Sequence, residues 1–499
     1  MSFLKNVVRG QPDDWTTPFL PTNAEDRQSE YAQEIKDRYA LTSFNELNDI
    51  EAREAEKFGP FSVRDPWTLR RDSLAEYFVQ RSDVDESILS KAVLKVTQLN
   101  ETKLRPLPLD LAFAHMPPDT NLGLPSFTSD ARYRKGYLDR SRALAAGQYQ
   151  DTGIYPAVIG WRGQPNGSMV HIKNRNIFMM DHLEVIVGLS VQVVSLYALR
   201  DREEFCAWNS LDIVDKTMTN VLNTTNGRYI ISVDFSGFDR SVPPILIHAA
   251  FDVLRNWFVE NAWAQLDWLE RTFRTVGIVT PDGLWQGRNG GVPSGSALTN
   301  LIDSLCQLIL WNYVSDIIGN KIDFLTVLGD DGVIMFRDEA DMDLITDVVE
   351  SHFGMMVGTD KGGISKDSVK YLQRLHMLSY QPDGLCRGVR SFVRTWNGCC
   401  HLERRTSGLV PQFFSARAVS QFENCRWHPN FPQQVKLLYQ SDKFLRQFDP
   451  LTVFKQAGGA ENVEAVLHLR SFKVGLELPS QGLNNFETVR ILRSLRRTA

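Results

Sequence analysis

Residues 321–336 read KIDFLTVLGDDGVIMF, and the fold follows from how that stretch has to be built. Two apolar runs, IDFLTV and VIMF, flank Gly329, Asp330, Asp331 and Gly332. That is the pattern of two strands joined by a tight turn. Glycine on either side of the acids lets the backbone turn sharply and lets a ligand come close. GDDG taken alone is ordinary turn chemistry. Here, though, two adjacent carboxylates stand at the end of strands that are nearly all apolar. They repel one another there, and a bound cation is the simplest compensation.

Working outward, RYIISVDF (228–235) reads as a strand that ends on Asp234. A strand-terminal Asp is also a common turn or helix-cap residue. An amphipathic helix through HAAFDVLRNWFVENAW follows, then a modest hairpin over RTFRTVGIVTPDGLWQG. Next, GRNGGVPSGSALTN opens a helix with Leu298, Leu301, Ile302, Leu305, Leu308 and Ile309 at helical spacing. Beyond the hairpin come a helix at DMDLITDVVESHFG and a strand candidate at VKYLQRLHMLSYQPDG. The order β-α-(α)-β-β-α-β predicts an α+β fold, an antiparallel sheet backed by helices. If the strands of Asp234 and of Asp330 and Asp331 are neighbours, three carboxylates converge on one edge. Phosphoryl transfer to a nucleotide chain needs such a set, because it uses two divalent ions about 3.5–4 Å apart. Mg²⁺ is hard and takes oxygen ligands.

The bulk properties bound the remaining possibilities. A chain of 499 residues calls for two or three substructures around a sizeable core. A net charge of −5 leaves nucleic-acid binding open, since only the phosphate path needs to be basic. Six scattered cysteines without a CxxC pair read as buried thiols in a reducing compartment. The amino-terminal MSFLKNVVRGQPDDW lacks the apolar run of a signal peptide. The segment 185–199 is shorter than the ~20 residues of a bilayer span, carries Ser and Gln, and reads as a core helix.

Three phrases in order carry a family resemblance: DFSGFD (234–239), SGSALTNLIDS (294–304) and LGDDG (328–332). Together they resemble the palm motifs of viral RNA-dependent RNA polymerases. With GVPSG before the second, they are most similar to the enzymes of picobirnaviruses and partitiviruses, which have double-stranded RNA genomes. The resemblance spans roughly residues 117–380. It implies a right-hand polymerase fold with fingers, palm and thumb, and RNA synthesis on an RNA template from ribonucleoside triphosphates. Asp234, Asp330 and Asp331 would be the metal ligands, for Mg²⁺ with Mn²⁺ as a substitute. Asp239 would lie near the ribose of the incoming nucleotide.

The same resemblance implies roles for other residues. Ser294 and Gly295, with Ser296, would contact a phosphate or nascent base pair at a helix amino terminus. Thr299 and Asp303 fall on one helix face with Cys306. Asn commonly stands where this chain has Asp303, and Asn300 follows Thr299 directly, so either residue could work with Asp239 on the 2′-hydroxyl. Arg162, Lys173 and Arg175 in WRGQPNGSMVHIKNRNIF resemble the basic motif that meets the triphosphate. Arg132, Arg134 and Lys135 are similar to a template-guiding loop. Lys366, or alternatively Lys361, would be the general acid for pyrophosphate. Arg374 in YLQRL would touch the primer strand. Any of these basic residues could equally be a solvated surface charge, and the basic end RILRSLRRTA could be an RNA contact or a solvated tail.

The expected organisation is a 1–90 segment bridging fingers and thumb, fingers over 91–227, and palm over 228–254. A fingers insertion follows over 255–290, palm again over 291–380, and thumb with tail over 381–499. Between 100 and 175, Pro and Gly predict shaped loops rather than long elements. Expected partners are a single-stranded RNA template, a double-stranded RNA product and viral capsid protein, without a membrane. The expected location is inside the capsid, in the host cytoplasm. Two rival functions share parts of this pattern. Reverse transcription usually has a different residue before the paired aspartates and a bulkier sugar gate. A catalytically silent capsid-associated RNA-binding protein of the same fold would have lost a metal carboxylate.

Overall fold

The computed structural model describes residues 2–116, 120–150, 153–358, 363–404, 410–457 and 482–498. Strand β1 (Ala157–Gln164) and β2 (Lys173–Met179) form a long antiparallel ribbon. Strand β3 (Ile230–Val233) is the short strand before Asp234. Strands β4 (Ile278–Thr280) and β5 (Gly283–Trp285) are the modest hairpin, and β4 joins the ribbon parallel to β1. Strands β6 (Ile322–Leu328) and β7 (Asp331–Phe336) flank the paired aspartates. With β3 and the two-residue β8 (Ile364–Ser365) they make an antiparallel sheet in the order β6-β7-β3-β8.

Period-two alternation fixes what each face of this sheet buries. Ile231, Val233, Leu325, Val327, Ile334 and Phe336 enter the main core. There they meet the helices Pro244–Trp257, Thr299–Ile318 and Met342–Phe353. Ile230, Phe324, Val333 and Met335 pack on the other side against the helix Leu211–Thr224 and against Val369 and Tyr371. Helix Thr299–Ile318 is buried almost all round, including its polar Asp303, Ser304 and Gln307. It and His182–Leu199 are long and apolar enough to cross a membrane, but both are mostly buried in the protein core.

The structure corrects three expectations. The strand in VKYLQRL leaves the central sheet: β9 (Ser368–Tyr371), β10 (Arg374–Met377) and β11 (Val389–Arg390) form a separate sheet ordered β11-β10-β9. Leu372 and Gln373, at φ 52° and 61°, make the tight turn between β9 and β10. The 100–175 region is more regular than its Pro and Gly content predicts, since it holds the helix Arg134–Ala146 and most of the ribbon. The basic carboxyl end is a helix, Glu487–Thr498, that buries Val489 and Leu492 among the carboxyl-terminal helices. Its Arg493 pairs with Asp449 at 2.8 Å. All six cysteines are free and buried.

The first eighty residues tie distant parts together. Fully buried Glu51 accepts from Ser391 Oγ at 2.7 Å and from the backbone N–H groups of Phe392 and Val393 at 2.7 and 3.0 Å. It thereby caps the helix Phe392–Cys400 from outside. His401 pairs with Asp14 at 2.6 Å. On the opposite side, Trp67 Nε1 donates to Asp282 at 2.9 Å, and Tyr77 packs on Phe178 of the ribbon.

Candidate active site

Pairing of Val233 with Gly332 sets the geometry of the acids. The next residue on each chain is Asp234 on one side and Asp331 on the other, so the two carboxylates stand side by side at one sheet edge. Asp330 occupies the turn between β6 and β7, and Gly329 takes φ 62° there. Burial pushes the Asp331 carboxyl up to about 7, with Asp330 and Asp234 adding to the rise, while Lys370 and Arg175 oppose it.

Helix Thr299–Ile318 holds the turn from behind. Gly329 N–H donates to Ser304 Oγ at 2.9 Å, and Gln307 Nε2 donates to the Gly329 carbonyl at 2.6 Å. Trp311 Nε1 donates to Gln307 Oε1 at 3.2 Å. A Cβ on Gly332 would lie 2.7 Å from that same Oε1, so glycine is needed there for close approach. Asn300 belongs to this support. Its Oδ1 accepts from Trp208 Nε1 at 2.9 Å, and its Nδ2 lies 3.1 Å from where a Gly329 Cβ would be.

Asp303 is the residue that faces the acids. It is buried, its Oδ1 has no hydrogen-bond partner among the described residues, and burial holds its carboxyl well above the usual range, with Asp239 and Asp330 adding to the effect. Asp239 is likewise raised by burial, opposed by a hydrogen bond from Ser294 Oγ. Thr299 turns its hydroxyl back onto the Pro293 carbonyl at 3.0 Å and closes the loop. Gly295 sits against the end of β2, where a Cβ would meet the Phe178 carbonyl oxygen at 1.8 Å.

Ribbon register collects the basic residues. Arg162 pairs with Arg175 and Gln164 with Lys173, so alternation places Arg162, Arg175 and Lys173 on one face. Trp161 and Asn176 take the other face. Arg175 is close enough to lower both Asp239 and Asp331. Arg162 forms an ion pair with Glu403 at 3.1 Å.

Among the described residues, no three His, Cys, Asp or Glu side chains are gathered as a ready-made metal cage. The donor set still fits a hard divalent cation. It is all oxygen, and the crowding that lifts Asp331 is what a cation would relieve.

Comparison with known proteins adds the family. Residues 193–389 match the family model described as viral RNA-dependent RNA polymerase. A "Potential RNA-dependent RNA polymerase" of a human picobirnavirus is 27% identical over 467 residues, covering 89% of this chain and 85% of that one. An "RNA-directed RNA polymerase" of Cryptosporidium parvum virus 1 is 34% identical over 144 residues, 26% of each chain. The crystal structure of a human picobirnavirus RNA-dependent RNA polymerase shares the fold at TM-score 0.82 and 23% identity, covering 99% of this chain and 96% of that one. The chain is an RNA-directed RNA polymerase similar to these viral enzymes. It has the right-hand fold of that family, in a mixed α/β architecture.

Within this polymerase, several basic residues lie elsewhere than the sequence led us to expect. Arg374 is buried and donates to the Gly388 carbonyl at 3.1 Å. Lys366 sits 4.3 Å over the Tyr229 ring, beside Ser365, which pairs with Ile230. That is the far end of β3 from Asp234, roughly 15 Å along the strand at about 3.3 Å per residue. Lys361 lies outside the described residues. Arg132 forms an ion pair with its own neighbour Asp130, and Arg134 donates to the Met116 carbonyl at 3.2 Å. Both lie at the start of a helix rather than in a loop, with Lys135 exposed beside them. Besides Arg175, a second cation reaches the acids: Lys370, on β9. Its backbone N–H donates to Ser232 Oγ at 3.0 Å, and its charge is felt by Asp331. Sequence reasoning passed over it because the neighbouring arginine matched the motif.

Proposed function

We propose that this polymerase replicates and transcribes a double-stranded RNA virus genome by metal-assisted phosphoryl transfer, starting without a protein primer. The observation that carries the chemistry is the juxtaposition of Asp234 with Asp331 at one sheet edge, within electrostatic reach of Arg175. Asp234, Asp330 and Asp331 would hold Mg²⁺, or Mn²⁺ in its place, which when bound activates the attacking 3′-oxygen and neutralises charge on the phosphates.

The chain's own groups do the rest. Arg162, Lys173 and Arg175 take the triphosphate on one face of the ribbon and offset the charge of departing pyrophosphate. Asp239, presented by Ser294, and Asp303 next to it bond the ribose 2′-hydroxyl, which both donates and accepts. Lys370 contributes positive charge where the primer end meets the acids. We assign the ribbon and its helices to fingers, the central sheet to palm, and residues 381–499 to thumb, with residues 1–90 bridging fingers and thumb. Work inside the capsid, in the host cytoplasm and beside capsid protein, follows from resemblance to double-stranded RNA viruses.

Incorporation by the purified chain on an unprimed single-stranded RNA tests this reading. The assay supplies Mg²⁺ or Mn²⁺ and either rNTPs or dNTPs, with Asp330→Asn as control. Template-length product from rNTPs alone, lost in the control, is the expected result. DNA product would replace the reading with reverse transcription. Product only when capsid protein is added would support the capsid partner and remove autonomy.

A further inference from the structure

Helix His182–Leu199 is mostly apolar, yet it carries a fully buried carboxylate in its first turn, Glu184. Burying a carboxyl is costly unless it is bonded. Its partner is not on the helix. Ser296 Oγ, in the glycine-rich loop, donates to Glu184 Oε1 at 2.5 Å, and the Ala297 backbone N–H bonds the same carboxyl. Gly188, one turn further on, is what lets the loop come so near. A Cβ there would lie 3.0 Å from the Ala297 Cβ.

Two residues before Ser296, Ser294 Oγ donates to Asp239. Hydroxyls at positions i and i+2 of one short loop are thus each held by a carboxyl from a different element. Between them, Gly295 is pressed against the Phe178 carbonyl. A loop with glycines at 290, 291 and 295 has little stiffness of its own. Its shape is therefore set by what grips it. Backbone bonds from Gly291 and Val292 to the Val242 and Asp239 carbonyls, Arg288 on the Gly290 and Gly291 carbonyls, and Thr299 on the Pro293 carbonyl fix its two ends. Between them, the side chains of Ser294 and Ser296 are held by Asp239 and Glu184.

We propose that Glu184 is a positioning residue for sugar selection: by anchoring Ser296 it fixes the glycine-rich loop so that Ser294 holds Asp239 toward the ribose. A carboxyl that merely filled the core or capped its own helix would be indifferent to which sugar the site accepts. The inference rests on the polymerase reading, and its test separates the two.

The test is single-nucleotide extension of a primed RNA template by the full chain, measuring kcat and KM for an rNTP and the matching dNTP. Ser296→Ala and Glu184→Ala should each lower the rNTP/dNTP ratio of kcat/KM about tenfold, the worth of one buried hydrogen bond. Glu184→Gln, whose amide oxygen still accepts from Ser296, should stay within about twofold of wild type. If Glu184→Ala does not fold, Ser296→Ala decides alone, since it removes only a hydroxyl. An unchanged ratio in Ser296→Ala, or a Glu184→Gln as impaired as Glu184→Ala, would overturn the inference. No rNTP incorporation by wild type would overturn the polymerase reading and this inference with it.

Discussion

Gln307 donates from its side-chain amide to the carbonyl of Gly329 at 2.6 Å, joining the middle of a buried helix to the turn that carries Asp330 and Asp331. Ser304 takes the N–H of the same glycine, so both polar backbone groups of one residue are held by one helix. The position of the acids is thereby referred to the core rather than to the hairpin alone.

Gln307→Ala should therefore act on both stability and rate. It strands the Gly329 carbonyl and Trp311 Nε1 in a dry interior, which costs about 2–4 kcal/mol. Denaturant unfolding reads that loss. Incorporation at a temperature where the variant is still folded should fall about tenfold or more.

Asp234→Asn and Asp330→Asn should abolish synthesis while leaving the fold intact. Removing one of three crowded carboxylates relieves repulsion, so the melting temperature should equal or exceed that of wild type. Retained incorporation by either purified variant would sink the metal assignment.

Sugar discrimination should separate two neighbours on one helix. Asp303→Ala or Asp239→Ala is expected to lower the rNTP/dNTP ratio about tenfold or more. Asn300→Ala should leave the ratio alone and reduce stability instead, because its side chain is bonded to Trp208. A changed ratio in Asn300→Ala would return it to the sugar gate.

Lysine substitutions should rank by place rather than by motif. Lys366→Ala should keep incorporation within about twofold, as an exposed cation far from the acids. Lys370→Ala should slow it about tenfold, having lost a charge felt by Asp331. Equal effects of the two would contradict the arrangement.

Stability should depend on pH through Glu184. Burial raises its carboxyl to about 7, with Ser296 and the Ala297 N–H opposing and Asp181, itself paired with Arg140 at 2.8 Å, adding to the rise. The folded protein therefore holds this proton more tightly than the unfolded chain does. The associated stability is complete below about pH 4.5 and is lost as pH rises through 7, on the order of 3 kcal/mol. Glu184→Gln should flatten that part of the curve, and thermal melts from pH 5 to 8 check it.

The hairpin and its acids were legible in the sequence because two independent regularities agree there: apolar strands ending on like charges, and glycines at the turn. The face of the ribbon bearing Arg162, Lys173 and Arg175 follows from alternation once the register is known. Arg374 was placed by motif resemblance, and a motif does not show that every residue of β10 is buried. Asn300 and Asp303 lie three apart on a helix, near enough in angle that spacing cannot choose between them. Trp208, distant in sequence, is what bonds Asn300, and spacing carries no sign of that. Glu184 and Gln307 had no local pattern to mark them, since their partners are over a hundred and over twenty residues away respectively.

Glu51, the buried carboxylate that caps the helix Phe392–Cys400, bears on how the chain is made. Its partners are synthesised some 340 residues later. At a synthesis rate of about 5–20 residues per second, the amino-terminal segment waits tens of seconds for them. Through that interval its apolar surface stays uncovered, so the order of synthesis separates the two halves of this contact in time.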